Sequence, residues 1–256
     1  MPPRYDRGDW ESGDGVFHAA HIADYSRQLA RRLDPHLKSG DSIVVLGGDC
    51  SILLGAALAL RRRGRYGLAA IDGLDFRHPD NSEAVGAAAG EDLALVTGRG
   101  QDDLTDMDGL RPYFRHADVW ALGPRPEDES LAEVTGLGIQ VATAPEIARD
   151  PGATGARVLD HLSGRELDGF WVHLDADVLD PSVMPAVDSP EPGGLSAEEL
   201  VALLRPLLAA PQCAGLQVTI YDPDLDPDGQ AAAVLAGILI SAFAGQSWSL
   251  PPAVAV

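Results

Sequence analysis

Between Val172 and Gly193 the chain reads VHLDADVLDPSVMPAVDSPEPG, an apolar run that ends in two carboxylates one residue apart, then Asp180-Pro181 and a loop closing on glycine. On a β-strand, side chains at i and i+2 share a face, so Asp175 and Asp177 project together from the end of a buried strand. Two carboxylates held close repel unless one is protonated or a cation lies between them. A hard divalent cation with oxygen ligands meets that need. An Asp-rich turn closing a strand is the competing account of this stretch alone.

The elements that must position these residues follow from hydrophobic periodicity. Short apolar runs at 42–47, 66–71, 119–122, 139–142, 169–174 and 216–220 have the character of strands buried on both faces. Stripes at three- and four-residue spacing predict helices over 17–33, 52–63, 153–162, 196–208 and 231–243, and residues 84–95 are helix-prone despite nearby glycines. Ser196 followed by Glu199 three positions on is a capping box. Strand followed by helix, repeated, predicts a three-layer α-β-α fold around a mainly parallel sheet. We read residues 17–256 as one such domain and residues 1–16, rich in Pro, Asp, Gly and Arg, as an N-terminal arm.

In this architecture ligands bind beyond the carboxyl ends of the strands. Three polar clusters follow strands: Asp49-Cys50, Asp72 to His78, and Asp175 to Asp180. All three are expected at one edge of the sheet, and independent turns have no reason to gather carboxylates there.

Composition limits the alternatives. With 39 acidic and 19 basic residues the 256-residue chain carries a formal charge of −20, which disfavours a phosphate backbone as partner. The same acidity argues against reading Gly47-Gly48-Asp49, at a helix start, as an anion cradle, unless metal intervenes. No apolar run of about 18 residues exists to span a membrane, and the start lacks the apolar segment of a signal peptide, so a cytoplasmic protein acting on a small molecule is expected. Two cysteines, Cys50 and Cys213, suggest no disulfide framework.

From Val44 to about Asp228 the chain resembles the ureohydrolase superfamily of arginase, agmatinase and formimidoylglutamase. That family carries G-G-D-H-S, D-x-H-x-D and D-x-D-x-x-D-P motifs, which bind two manganese ions bridged by a hydroxide. Gly47-Gly48-Asp49-Cys50-Ser51 is similar to the first motif with Cys50 at the ligand histidine. Asp72 is similar to the opening aspartate of the second, and Asp175, Asp177, Asp180 and Pro181 match the third without change. The resemblance therefore implies Cys50, Asp72, Asp75, Asp175 and Asp177 as metal ligands, with Asp75 also orienting the hydroxide. It implies hydrolysis of a linear C–N bond in a guanidino, amidino or formimino compound. A degenerate member that keeps the fold as a binding or regulatory subunit is the alternative. The family is often trimeric or hexameric, so a homo-oligomer fits the resemblance.

The departures sharpen these expectations. Asp72-Gly73-Leu74-Asp75 is one residue short of D-x-H-x-D and has no histidine. Either that position is deleted and Asp75 is the last ligand, which we favour, or Leu74 and Phe76 replace histidine and aspartate. His78 is read as a solvent-exposed loop histidine rather than a substitute ligand. Ala89 stands in the register of the family's catalytic histidine, leaving Glu91 to move a proton if burial raises its pKa, or to be a solvated helix residue. Ile220 stands where a guanidinium-holding glutamate is usual, so Arg77 and Asp222 are the candidate substrate-binding side chains, Asp222 alternatively belonging to an acidic turn. Cys50 is either a thiolate ligand, shifting preference from Mn²⁺ toward Zn²⁺ or Fe²⁺, or a small buried apolar residue. It also resembles the Nω-hydroxy-L-arginine amidinohydrolase branch. With a histidine missing, one metal position is expected to be partly occupied. The family's usual strand and helix ahead of residue 17 are absent, so the chain resembles a member shortened at its front.

Overall fold

The computed structural model of the protein describes residues 15–82 and 86–244. Six strands, β1 (Ile43–Leu46), β2 (Tyr66–Ile71), β3 (Val119–Leu122), β4 (Gln140–Ala142), β5 (Gly169–Asp175) and β6 (Cys213–Thr219), form one sheet in the order β1-β6-β5-β2-β3-β4. Every neighbouring pair is parallel. The carboxyl ends of β1, β2 and β5, where the three polar clusters begin, therefore lie along one edge, as the sequence implied. No helix among the described residues is long and apolar enough to cross a membrane.

Helices α1 (Ala19–Ser39), α2 (Leu53–Arg61), α3 (Asp92–Val96), α4 (Asp102–Thr105) and α5 (Leu131–Gly136) include those covering one face, and α6 (Ala144–Arg149), α7 (Pro151–Ser163), α8 (Ala197–Ala209) and α9 (Gln230–Phe243) cover the other. The strand period of two sorts the side chains between the layers. Phe170, Val172 and Leu174 enter the core under α7, α8 and α9, whereas Trp171 packs with α1, α2 and α3. His173 and Asp175 share the Trp171 face. On β6, Leu216 and Val218 pack with α7–α9, which turns Gly215, Gln217 and Thr219 toward α1–α3. The register pairs Trp171 with Gly215, His173 with Gln217 and Asp175 with Thr219. A polar ladder thus runs through the sheet interior to the strand ends.

Some boundaries differ from the sequence pattern. The helix-prone stretch 84–95 is mostly not helix: residues 83–85 lie outside the described residues, Ala88–Glu91 is a single 3-10 turn and α3 begins only at Asp92. Gly86, at φ 156°, and Gly90 interrupt it. Helix α1 runs six residues beyond Leu33, through Pro35, and stops at Gly40, whose φ of 74° lets its N–H reach the His36 and Leu37 carbonyls. Ile220 is not in β6; at φ 68° its N–H turns to the Gly48 carbonyl. The predicted capping box is formed, Ser196 accepting from the Glu199 N–H and Glu199 from Ser196. Of the proposed arm, residues 1–14 lie outside the described residues, while Val16 is buried in the core.

Gly215 is the tightest point of the ladder, since an added Cβ lies 2.4 Å from the Trp171 ring and 2.7 Å from the Ile43 carbonyl oxygen. Gly215→Ala is expected to cost about 1–3 kcal/mol of stability through overpacking. Urea denaturation checks this, and a change below a few tenths of that range would mean that the ring is free to move.

Candidate metal centre

The site is built at the ends of β1, β2 and β5. After β1, Gly47 and Gly48 take φ of 98° and 84°, and Asp49 caps a 3-10 turn over Cys50–Ile52 by accepting from the Ser51 N–H at 2.9 Å. That turn drives Cys50 inward until it is fully buried. Its Sγ lies 2.7 Å from Asp175 Oδ2 and 3.0 Å from Thr219 Oγ1. Asp72 follows β2, its N–H held by the Leu122 carbonyl at 2.9 Å. Asp175 ends β5 and accepts from the Asp177 N–H at 2.8 Å.

Ligand atoms of Cys50, Asp72, Asp75 and Asp175 lie within 4.8 Å of one another. A second group with the same property joins Cys50 and Asp72 to Asp92 and His173. Asp177 belongs to neither but lines the adjoining cavity of about 280 Å³, together with Asp72, Asp75 and Asp175. Another cavity, about 510 Å³ between α8 and α9, is lined by Glu198 and Arg205 among small and apolar residues and contains none of these donors.

Crowding and burial govern the electrostatics. Burial, and then the Asp177 charge, push Asp72 up from 3.8 to about 7. Burial and neighbouring carboxylates raise Asp75, Asp92 and Asp175 well above the usual range, and Asp177 is raised too, chiefly by burial. Burial, reinforced by Asp175, raises the Cys50 thiol. Burial pushes His173 down to about 3, so it is a neutral imidazole. Both carboxylate oxygens of Asp92, Asp177 Oδ1 and His173 Nε2 are buried without a hydrogen-bond partner. Buried polar atoms are ordinarily paired. Orphaned carboxylate oxygens in an anionic cluster fit a divalent cation, so the residues present suit the metal that the motifs imply.

Other predicted residues are distributed as follows. Arg77 lines the cavity, alongside Asp128, Asp188 and Glu191. Glu91 is buried, and burial raises it to about 7, but its Oε1 accepts from the Gly86 N–H at 2.8 Å and it is not among the lining residues; Ala89 and Gly90 are. It is therefore no solvated helix residue. Asp222 is not brought to the cavity; its carboxylate caps the Asp224 N–H at 2.9 Å, while Ile220 forms part of the wall. His78 is not solvent-exposed as expected: it is 2 % exposed, bonded through Nε2 to Glu133 at 2.9 Å and set edge-on to Phe76. The buried Phe76 draws it inward. Leu74, within the shortened Asp72 to Asp75 segment, stands at φ 98°.

Sequence reasoning missed Asp92, His173, Gln217 and Arg125. His173 carried a signal, since it precedes Asp175 by two residues on the same strand face. Arg125, 4 % exposed, follows β3 and donates to the carbonyls of Asp177 at 3.1 Å and Glu191 at 2.7 Å, clamping the carboxylate loop.

With the fold and site in view, the comparisons are consistent. Residues 5–245 match the sequence profile described as Arginase family. The arginase of Brevibacillus brevis is 28% identical over 228 residues, covering 87% of this chain and 75% of that one. A formimidoylglutamase of Aeromonas hydrophila subsp. hydrophila is 28% identical over 257 residues, covering 93% and 72%. The crystal structure of arginase from Bacillus caldovelox superposes with a TM-score of 0.83 at 28% identity, covering 93% of this chain and 81% of that one. This chain belongs to the arginase family.

The raised carboxylates predict the pH dependence of the metal-free fold. A group with pKa 3.8 unfolded and about 7 folded, as for Asp72, binds more protons when folded. Stability then falls as pH rises between those values. Calorimetry in chelator should show the melting temperature dropping from about pH 5 to about pH 7.5, and manganese should flatten or reverse the trend. A flat metal-free profile would mean that the carboxylates are already neutralised by other means.

Proposed function

We propose that the protein is a metal-dependent hydrolase of a linear C–N bond in a guanidino, amidino or formimino compound, with manganese as the working ion. The observation that carries this reading is the convergence of Cys50, Asp72, Asp75 and Asp175 within 4.8 Å at the side of an acidic cavity. Its relatives, named arginase and formimidoylglutamase, support the reaction class. When bound, the metal would supply Lewis acidity and a lowered pKa for water.

The chain's own residues do the rest. Asp128, Asp188 and Glu191 give the cavity a negative wall that attracts a cationic guanidinium or amidinium. Arg77, the one basic residue among those lining it, is placed for an acidic group of the substrate. Asp75 accepts a proton from the attacking water at its carboxylate. Glu91, buried one residue beyond Gly90 of the wall and raised to about 7, supplies the proton that reaches the leaving nitrogen through an intervening water.

A second reading, that of a family member without turnover, is favoured by Leu74 and Ala89, which put no imidazole where the motifs have one. Product release separates the two. Urea, hydroxyurea, ammonia or formamide should appear from a panel of guanidino, N-hydroxyguanidino and formimino substrates at saturating manganese. Asp175→Asn should lower kcat about 100-fold or more, beyond the cost of losing an outer-shell partner. No product from any substrate would sink the hydrolase reading. If Glu91 is the proton donor, Glu91→Gln removes the fall of kcat on the alkaline side of about pH 7, a limb set by its titration. Manganese loading should give partial occupancy of one position, and two full equivalents by elemental analysis would contradict that.

A further inference from the structure

The two donor groups share Cys50 and Asp72 and differ in their other members. Asp75 and Asp175 come from the motif segments. Asp92 and His173 belong to none of the motifs, yet they are 1 % and 0 % exposed. Neither Asp92 oxygen nor His173 Nε2 has a hydrogen-bond partner. Three buried polar atoms without partners converge here, and such atoms are ordinarily satisfied by a ligand, a proton or an ordered water.

The spacing discriminates. His173 Nε2 stands 3.6 Å from Asp92 Oδ2 and 3.9 Å from Asp72 Oδ2. Both separations exceed a hydrogen bond of about 2.7–3.2 Å. Two ligands at about 2.1 Å on one tetrahedral ion stand roughly 3.4 Å apart, close to what is found. We propose that Cys50, Asp72, Asp92 and His173 form a second cation position, one step further into the sheet, selective for a borderline ion such as Zn²⁺, Co²⁺ or Fe²⁺. The proposal rests on reading Cys50 and Asp72 as metal donors and does not depend on turnover.

Donor chemistry sets the selectivity. A thiolate and an imidazole beside two carboxylates suit zinc, cobalt or ferrous ion better than manganese, which prefers oxygen ligands. The imidazole that the segment after β2 lacks is thus supplied from β5, together with a carboxylate from the first residue of α3.

Occupation changes a hydrogen-bond relay. Trp171 Nε1–H, a donor only, gives to Gln217 Oε1 at 3.0 Å, which points the Gln217 amide nitrogen at His173 Nδ1 at 2.7 Å. In the metal-free chain Nδ1 therefore accepts, and the imidazole proton sits on Nε2, facing Asp92. A metal at Nε2 displaces that proton, and neutral His173 then carries its proton on Nδ1. Gln217 must rotate to present its oxygen, and Trp171 loses its acceptor. Losing one neutral hydrogen bond is small beside binding an ion to several anionic donors.

The test uses full-length metal-free protein and Co²⁺ alone. Expected are thiolate-to-cobalt absorption, imidazole scattering in the X-ray absorption spectrum, and a shift of the Trp171 indole N–H resonance, assigned with Trp171→Phe. Asp92→Asn, nearly isosteric, and His173→Gln should each weaken Co²⁺ binding at least about tenfold and abolish the indole shift, whereas Glu198→Gln, in the cavity between α8 and α9, should leave both. If His173→Gln fails to fold, the Asp92→Asn result and the wild-type spectra decide. Cobalt bound without imidazole scattering, an unmoved indole, or an unchanged Asp92→Asn titration would overturn the proposal. So would finding that Nε2 keeps its proton and bonds directly to Asp92. Bound cobalt with imidazole scattering but no product from any substrate would overturn the hydrolase reading alone. Turnover with manganese and no imidazole scattering would do the reverse.

Discussion

Five buried or nearly buried carboxylates, Asp72, Asp75, Asp92, Asp175 and Asp177, crowd the carboxyl edge of the sheet, and their mutual repulsion is the constraint on which the site depends. Two unit charges about 4 Å apart interact by roughly 4 kcal/mol even at an effective dielectric of about 20. Protons or cations must remove most of that. The Arg125 guanidinium does not: it donates to the carbonyls of Gly123, Asp177 and Glu191 rather than to a carboxylate. It fixes the loop and leaves the anionic oxygens available. His173, neutral because burial suppresses its protonation, contributes no charge either. A divalent ion is the simplest means of satisfying this edge, and it explains why orphaned oxygens and a buried thiol gather there.

The core behind the edge is arranged for the same end. Parallel strands buried on both faces are normally apolar throughout. Here one face of β5 and β6 carries His173, Gln217, Asp175 and Thr219 in two successive register pairs. Gly215 makes room for the Trp171 ring, the indole orients Gln217, and Gln217 fixes the His173 tautomer. A packing residue four positions below the strand end therefore decides which imidazole nitrogen carries the proton. Such a network is worth its polar burial only if every member is satisfied, and its last member, His173 Nε2, is not.

What could be read from sequence followed from local rules. All six strands were visible as apolar runs, and strand-to-helix alternation was enough to place the three polar clusters on one edge. Same-face projection and turn chemistry identified the Cys50, Asp72 and Asp175 segments. His173 was hidden because an apolar run reads as core whatever one residue within it does. Asp92 was hidden because the Ala-rich stretch before it looked helical, and only the three-dimensional path through Gly86 and Gly90 turns it inward. Exposure was the least accessible property. His78 lies in a polar stretch and Glu91 ends an Ala- and Gly-rich one, yet both are buried, His78 against Phe76 and Glu91 with its carboxylate on the Gly86 N–H. Asp222 looked like a replacement for the residue at Ile220, but turn capping takes its carboxylate elsewhere.

The segment after β2 shows how the edge tolerates losing a residue from its motif. Both ends are fixed: the Asp72 N–H bonds the Leu122 carbonyl, and Phe76 is fully buried with its carbonyl held by the Asn81 side chain. A span one residue shorter than D-x-H-x-D must be absorbed between them, and Leu74 absorbs it at φ 98°. A non-glycine residue in that region costs of order 1–3 kcal/mol and persists only where its surroundings over-determine it. Ile220, at φ 68°, carries similar strain across the cavity, with its N–H held by Gly48. Both strained residues are aliphatic and line the cavity, while Asp72 and Asp175 sit at unstrained strand ends. Asp72, His173 and Asp175 are therefore placed by the sheet and its register, whereas Cys50, Asp75 and Asp92 depend on the segments that follow β1 and β2. Asp75 depends on the strained segment for its position, so a change there alters an ion donor together with the orientation of water and substrate.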